Sequence, residues 1–231
     1  MRNMHPDEAA ARLRAVREAI GEAAERSGRP ARDVTLLGAS KTVPAALIRV
    51  FAEAGLMDFG ESYLQEAQGK IDELAGPAPQ LRWHFIGHLQ TNKARNVSAI
   101  FPIIHSLDRL ELARELDRRA RALGRTIDAY IEVNVSGEES KSGLSPAGLP
   151  RFLEDLASLP ALNILGLMTM PPYDPDPEAS RPFFAALREL RDRLCPGLRG
   201  LSMGMSGDFP VAIEEGATVV RVGSALFGAR R

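Results

Sequence analysis

Short apolar runs alternate with amphipathic stretches along almost the whole chain. The first amphipathic stretch covers residues 7–27. Leu13, Val16, Ile20 and Ala24 recur there at helical spacing, and Ser27-Gly28-Arg29-Pro30 ends the pattern. Eight β-like runs follow: Val34–Ser40, Met57–Gly60, Arg82–Gly87, Ile103–Ser106, Asp128–Val135, Ile164–Met170, Gly200–Met205 and Val219–Gly223. Helical patterns near 44–54, 62–75, 90–99, 108–123, 146–158, 178–194 and 208–215 lie between them, and Ser224–Arg230 reads as a further short helix. Several of the β-like runs are apolar on both faces, as buried parallel strands are. Eight such β-α units predict an α/β protein, a single (β/α)8 TIM barrel with an extra N-terminal helix. A doubly wound open sheet is the alternative, but no GxGxxG follows the first strand. No linker divides the chain, so residues 1–231 are expected to form one domain, with residues 1–30 packing on the barrel as its N-terminal helix. The longest loop, Pro171–Pro177, is proline-rich and polar.

In a barrel the chemistry belongs at the C-terminal ends of the strands. Those ends bring Lys41, Glu61, His88, Ser106, Asn134, Met170, Ser206 and Arg221 toward one mouth. Composition singles out the first of these. Only four of the 29 basic residues are lysines: Lys41, Lys70, Lys93 and Lys141. Where a surface charge suffices, this chain uses Arg. Arg stays protonated, whereas Lys can lose its proton and attack a carbonyl. The plainer alternative is compositional drift with a chance lysine at this position. Lys70 lies on a helix and is expected to be solvated.

The seventh run ends in Ser202-Met203-Gly204-Met205-Ser206-Gly207-Asp208, and the eighth in Arg221-Val222-Gly223-Ser224. Barrels often bind phosphate at these two loops: glycine lets the backbone approach, and unpaired N–H groups attract an anion. The alternative is that Ser206 or Asp208 only caps a helix. Gly204-Met205-Ser206-Gly207-Asp208 lacks the last glycine of a G-x-S-x-G nucleophile elbow. A lysine amine facing a phosphate site points to pyridoxal 5'-phosphate (PLP). Its aldehyde suits Lys41, and its phosphate suits Ser206–Gly207 and Gly223–Ser224. Arg221 would lie near the pyridine ring, or else form a salt bridge inside the barrel. His84 is expected to face the barrel interior or a ligand ring, His105 to make a local hydrogen bond, and His5 to be exposed. No metal site is expected, because His84 and His88 lack a cysteine pair or clustered carboxylates beside them.

Net charge is −1 with no basic block, which argues against nucleic-acid binding. No apolar run is long enough to cross a bilayer and no signal region opens the chain, so a cytoplasmic protein without membrane attachment is expected. The one cysteine, Cys195, excludes an internal disulfide and reads as a helix-face residue, not a nucleophile. No large apolar surface stripe is visible, which predicts a monomer.

The motifs together resemble the YggS/PROSC family of pyridoxal phosphate homeostasis proteins over nearly the whole chain. The most specific stretch is Trp83-His84-Phe85-Ile86-Gly87-His88-Leu89-Gln90-Thr91-Asn92-Lys93. Ala39-Ser40-Lys41-Thr42 resembles the cofactor-lysine segment. Further matches are Glu132-Val133-Asn134-Val135, Glu139-Ser140-Lys141-Ser142-Gly143, Gly166-Leu167-Met168, Leu201–Ser206 and Arg221–Gly228. The resemblance implies a barrel like the N-terminal domain of alanine racemase. It further implies PLP as a Schiff base on Lys41, phosphate contacts from Ser206, Gly223 and Ser224, and Arg221 at the ring. Two residues depart from the family pattern: Ser62 stands where the family usually has Asn, and Gly207 replaces a polar or acidic residue. The implied role is PLP homeostasis, with apo PLP-dependent enzymes as transient acceptors and no robust catalysis. The alternative is a racemase-like PLP enzyme, which needs a base on each face of the substrate. Alanine racemases draw a tyrosine from a second domain, whereas this chain is expected to end with its barrel. Only Tyr63, Tyr130 and Tyr173 are available, and none is clearly placed as a base. A third alternative, an aldolase-like barrel reacting directly with a sugar phosphate, conflicts with the family signature.

Overall fold

The computed structural model describes residues 4–76, 81–138 and 141–228. Eight parallel strands close into a barrel in sequence order: β1 (Thr35–Ala39), β2 (Asp58–Glu61), β3 (Arg82–Phe85), β4 (Ile103–Leu107), β5 (Ile127–Glu132), β6 (Leu162–Met168), β7 (Gly200–Met205) and β8 (Val219–Val222). The seam joins β1 to β8, with Leu37 opposite Arg221 and Gly38 opposite Val222. This is the (β/α)8 fold expected from the alternation.

The helix α1 (Pro6–Arg26) precedes the barrel. Pro6 and the acidic Asp7 and Glu8 open it, and its first turn is thereby pre-set and charge-matched. Leu13, Val16, Ile20, Ala23 and Ala24 form its buried face. That face lies against α2 (Ala45–Glu53), α8 (Phe209–Glu214) and α9 (Ser224–Phe227). Arg29, just beyond α1, donates to the carbonyls of Ile213, Gly216 and Ala217, satisfying the open end of α8. The remaining helices are α3 (Leu64–Leu74), α4 (Ala94–Ile100), α5 (Leu110–Ala122), α6 (Leu149–Leu156) and α7 (Arg181–Leu194).

Element boundaries differ from the sequence expectation in specific places. Residues 91–93, 146–148 and 177–180 form 3-10 turns leading into α4, α6 and α7. Pro150 and Pro182 explain the last two. A proline has no N–H and is tolerated only in the first turn of an α-helix, so α6 and α7 cannot extend backward through them. Strand β5 ends at Glu132 rather than Val135, because Asn134 turns to pair its N–H with Leu144. The short helix expected over Ser224–Arg230 is seen over Ser224–Phe227; residues 229–231 lie outside the described residues, as do Glu139 and Ser140.

Most of the apolar core lies between the strands and the helices. Inside the barrel a small cluster of Leu37, Tyr130, Met168 and Val219 shares the space with polar side chains. Gly200 makes room for Tyr130: a Cβ there would meet the Tyr130 ring at 2.6 Å.

Candidate functional site

The register across the seam sets the site. Gly38 of β1 lies beside Val222 of β8, so the residues just after β1 (Ser40, Lys41) adjoin the residues just after β8 (Gly223, Ser224). Lys41 is half-buried at this end. Its neighbour Thr42 has φ = 65°, the left-handed region, and is the only such non-glycine among the described residues. For a β-branched residue that conformation costs roughly 1–2 kcal/mol, so the surrounding structure must hold it.

Three side chains from β2 and α3 do so. Glu66 Oε1 accepts the Thr42 N–H at 2.5 Å. Ser40 Oγ donates to Glu61 Oε1 at 2.5 Å, and Lys70 Nζ donates to the Ser40 carbonyl at 2.7 Å. Lys70 also reaches Glu61 at 2.8 Å and Glu66 at 2.6 Å. Lys70 is only 7% exposed, which corrects the expectation of a solvated helix lysine. The physical reason is its place on α3: Ala67, Lys70 and Leu74 share the buried face, and two carboxylates compensate the desolvated charge. A signal was present in the sequence, since Lys70 occupies a core position in the 67–70–74 pattern. Burial pushes the Glu61 carboxyl above its ordinary range despite the opposing pull of Lys70 and Ser40.

The opposite side of the seam joins its two loops through a neutral hydroxyl. Ser206 Oγ accepts the N–H of Gly223 at 3.0 Å and of Ala225 at 3.4 Å, tying the loop after β7 to the loop after β8. Asp208 turns the first loop by accepting the Met205 N–H at 2.6 Å and the Ser180 hydroxyl at 3.0 Å. Asp208 is the N-cap residue of α8 but its side chain makes no cap hydrogen bond there, whereas Ser206 receives N–H groups from the start of α9. Gly207 is exposed, and no atom lies within 4 Å of where its Cβ would stand. Ser224 is exposed at the start of the single-turn α9. Ser206 and Ser224 thus place hydroxyls at the start of α9, and the one carboxylate of the β7 loop, Asp208, is engaged by the Met205 N–H and the Ser180 hydroxyl.

Arg221 is buried beneath the mouth. It donates to the Ser202 carbonyl at 2.7 Å, to Ser202 Oγ at 2.8 Å and to the Thr169 carbonyl at 2.9 Å. Neutral oxygens hold it, and the salt bridge considered for it is not formed among the described residues. Burial lowers its pKa to about 10, which Glu132 and Asp208 partly offset.

Below Arg221 a chain of hydrogen bonds crosses the barrel, which sequence reasoning missed. Ser202 Oγ lies 2.8 Å from His105 Nδ1, His105 Nε2 lies 3.0 Å from His84 Nδ1, and His84 Nε2 lies 3.1 Å from Asp58 Oδ1. Arg82 closes the chain on Asp58 at 2.7 and 2.6 Å. The ionised Asp58 can only accept, so His84 carries its proton on Nε2. His84 Nδ1 and His105 Nε2 share one proton, and His105 Nδ1 shares one with the Ser202 hydroxyl. Burial, with His84 and Arg221 nearby, holds His105 well below its ordinary pKa. His105 thus makes long-range bonds rather than a local one. His84 faces the interior, linked to the mouth through Arg221 rather than by a polar contact of its own.

On the far side of the mouth, a cavity of about 210 Å³ is lined by residues that include His88, Glu132, Lys141, Ser142 and Met170. Burial and the charge of Asp108 push Glu132 up to about 7, against the pull of Arg221. Ser62 is half-buried, and its backbone packs against Gly87, where a Cβ would meet the Ser62 carbonyl at 2.4 Å. With Tyr63 and Lys93 it lines a second cavity of about 480 Å³ between the β2 and β3 loops. His88 is exposed at the rim, 3.3 Å from Ser142, while His84 points inward. Cys195 is buried at the end of α7, and burial raises its thiol pKa. No described helix is long and apolar enough to cross a membrane.

Comparison with known proteins follows the same lines. Residues 11–231 match the alanine racemase N-terminal domain family. The chain is 50% identical over 224 residues to the pyridoxal phosphate homeostasis protein of Aquifex aeolicus, covering 95% of this chain and 97% of that one. An unknown protein from Bifidobacterium adolescentis has a crystal structure that matches with a TM-score of 0.88 at 36% identity, covering 98% of this chain and 97% of that one. PipY of Synechococcus elongatus PCC7942, in its structure with PLP bound, matches with a TM-score of 0.82 at 40% identity, covering 95% of this chain and 100% of that one.

Proposed function

The chain belongs to the alanine racemase N-terminal domain family, among the pyridoxal phosphate homeostasis proteins, and from that premise we propose that it holds PLP as a Schiff base on Lys41 and releases it to apo PLP-dependent enzymes. It does so in the cytoplasm, as a monomer, without robust catalysis of its own. The observation that carries this reading is the seam: a lysine after β1 adjoins the glycine- and serine-bearing loops after β7 and β8, tied together by Ser206.

The residues present fit the group. Ser206, Gly207, Gly223 and Ser224 would hold the phosphate. When bound, PLP would supply an aldehyde for the Lys41 amine to condense with, one water leaving. Arg221 would stand at the pyridine ring, held by Ser202 and Thr169 and backed by His105, His84 and Asp58. An arginine cannot accept a ring proton, so Arg221 beside the ring nitrogen would leave it unprotonated and weaken the electron sink that many PLP reactions need. Ser62, where the family usually has Asn, lines the separate cavity with Tyr63 and Lys93 and would contact the cofactor only from there.

The tyrosines do not favour the racemase alternative. Tyr130 is buried against His105, with ring centroids 4.5 Å apart, and burial pushes its pKa up to about 12. Tyr63 and Tyr173 are exposed. The test has two arms on PLP-loaded protein. One follows reactivation of an apo PLP enzyme, against an equal amount of free PLP; the other follows Lys41-dependent turnover of amino acids. Transfer without turnover supports the carrier reading, and robust Lys41-dependent turnover contradicts it.

A further inference from the structure

We propose that Lys70 is a positioning residue for Lys41: its ammonium, shared among Ser40, Glu61 and Glu66, fastens both chain neighbours of Lys41 to the second β-α unit. This inference rests on the reading of Lys41 as the amine that holds PLP.

The geometry has three parts. First, Lys70 is a buried cation whose three N–H donors meet three acceptors within 2.8 Å: the Ser40 carbonyl, Glu61 Oε1 and Glu66 Oε1. A compact ammonium can point its hydrogens in three divergent directions; the planar fork of arginine cannot. That gives a physical reason for a lysine here in a chain that otherwise uses arginine. Second, the same carboxylates reach the residues on either side of Lys41. Glu61 accepts the Ser40 hydroxyl, and Glu66 accepts the Thr42 N–H. Ser40 is further fixed through its N–H, which donates to the Gly60 carbonyl at 2.9 Å. Third, the segment being held is strained. Thr42 sits at φ = 65°, a conformation it adopts poorly unless outside contacts keep it there.

Lys70 therefore acts on the amine through the backbone of residues 40–42 and touches no ligand itself. Removing it frees the loop and leaves Glu61 and Glu66 without their shared cation. The phosphate cradle after β7 and β8 is built from other residues and stays intact.

The test compares the full-length protein with Lys70→Met, Glu66→Gln, Thr42→Gly and the Lys70→Met/Thr42→Gly double variant, at a temperature where each is folded. Rapid-mixing absorbance gives two quantities: the first-order rate of imine appearance at saturating PLP, and the PLP concentration giving half of that rate. Lys70→Met is expected to slow the rate about tenfold or more. The half-saturating concentration stays within about twofold, because initial capture depends on the cradle. In the Thr42→Gly background, where the left-handed turn costs little, Lys70→Met slows the rate distinctly less. Loss of fold alone produces no such split and no such rescue. An unchanged rate in Lys70→Met, or an equal penalty with and without Thr42→Gly, overturns the proposal. If Lys70→Met does not fold, Glu66→Gln decides: a slower rate supports the clamp and an unchanged rate overturns it.

A second readout needs no PLP. The apo protein is reductively methylated with ¹³C-formaldehyde, and the Lys41 dimethyl resonance is followed by NMR. A dispersed Lys41 signal that collapses toward the position of solvated lysines in Lys70→Met supports the clamp; an unmoved signal overturns it. Absence of a Lys41 imine in the wild-type protein, with the NMR difference intact, means that the PLP reading has failed and the clamp has not.

Discussion

Across the seam of the barrel two loops face each other, held by different means. After β1, a strained turn is kept in place by buried ions: Lys70, Glu61 and Glu66 around Ser40 and Thr42. After β7 and β8, Ser206 collects backbone N–H groups, with no charged side chain at that point of contact. On the proposed reading, the difference matches what each side would do. Backbone donors on an anion-receiving side need no counter-ion, and the one carboxylate there, Asp208, is occupied by the Met205 N–H and the Ser180 hydroxyl. A side that presents an amine in a costly backbone conformation needs strong, directional bonds to keep it there.

The largest effect is expected on the ionic side. Lys70→Met leaves Glu61 and Glu66 without their cation, and breaking a buried pair in this way costs about 3–5 kcal/mol. Denaturant unfolding at neutral pH measures it; a loss below about 1 kcal/mol would mean that ions do not hold this side.

Glu132 is the second test, a charge kept near the mouth without a salt bridge among the described residues. Its folded pKa, up at about 7, lies above the unfolded value, so the folded state binds the extra proton. Stability attributable to this group is therefore full at acidic pH. It falls as pH rises from about 4.5 toward 7 and is flat above that. Glu132→Gln removes that slope and is expected to stabilise the protein by about 2 kcal/mol at pH 8. Unfolding midpoints at pH 5 and pH 8 measure the difference; an equal midpoint shift at both would contradict the assignment.

The eight β-α units were legible because strand and helix periods differ and the buried strands are short apolar runs. The mouth residues followed from that, since each strand end points the same way. Lys41, Ser206, Arg221 and Gly223 needed only the order of the strands. The interior chain through Asp58, His84, His105 and Ser202 was not legible: it joins β2, β3, β4 and β7, and no local spacing records which side chains meet inside a closed barrel. Lys70 was misjudged for another reason. A lysine on an amphipathic helix is ordinarily solvated; Glu66 is its local i,i+4 partner on α3, but Glu61 becomes a partner only once β2 and α3 pack together.

On the neutral side a smaller effect is expected. Ser206→Ala removes one acceptor shared by two N–H groups and should cost about 1 kcal/mol. The loss should be insensitive to salt, and unfolding in low and high salt checks both points. The smallest effect is that of Thr42→Gly, where relief of the left-handed conformation opposes the added flexibility of glycine. A net gain of about 0.5–1 kcal/mol is expected. A loss would show that the Thr42 side chain itself contributes to the hold.

The most direct test of the central claim is borohydride reduction of the PLP-treated protein, followed by peptide mass mapping, beside Lys41→Ala. The account predicts a near-visible absorbance band that disappears on reduction, with the reduced adduct on the peptide containing Lys41 and neither band nor adduct in the variant. An adduct on another lysine, or none at all in folded wild-type protein, would contradict it.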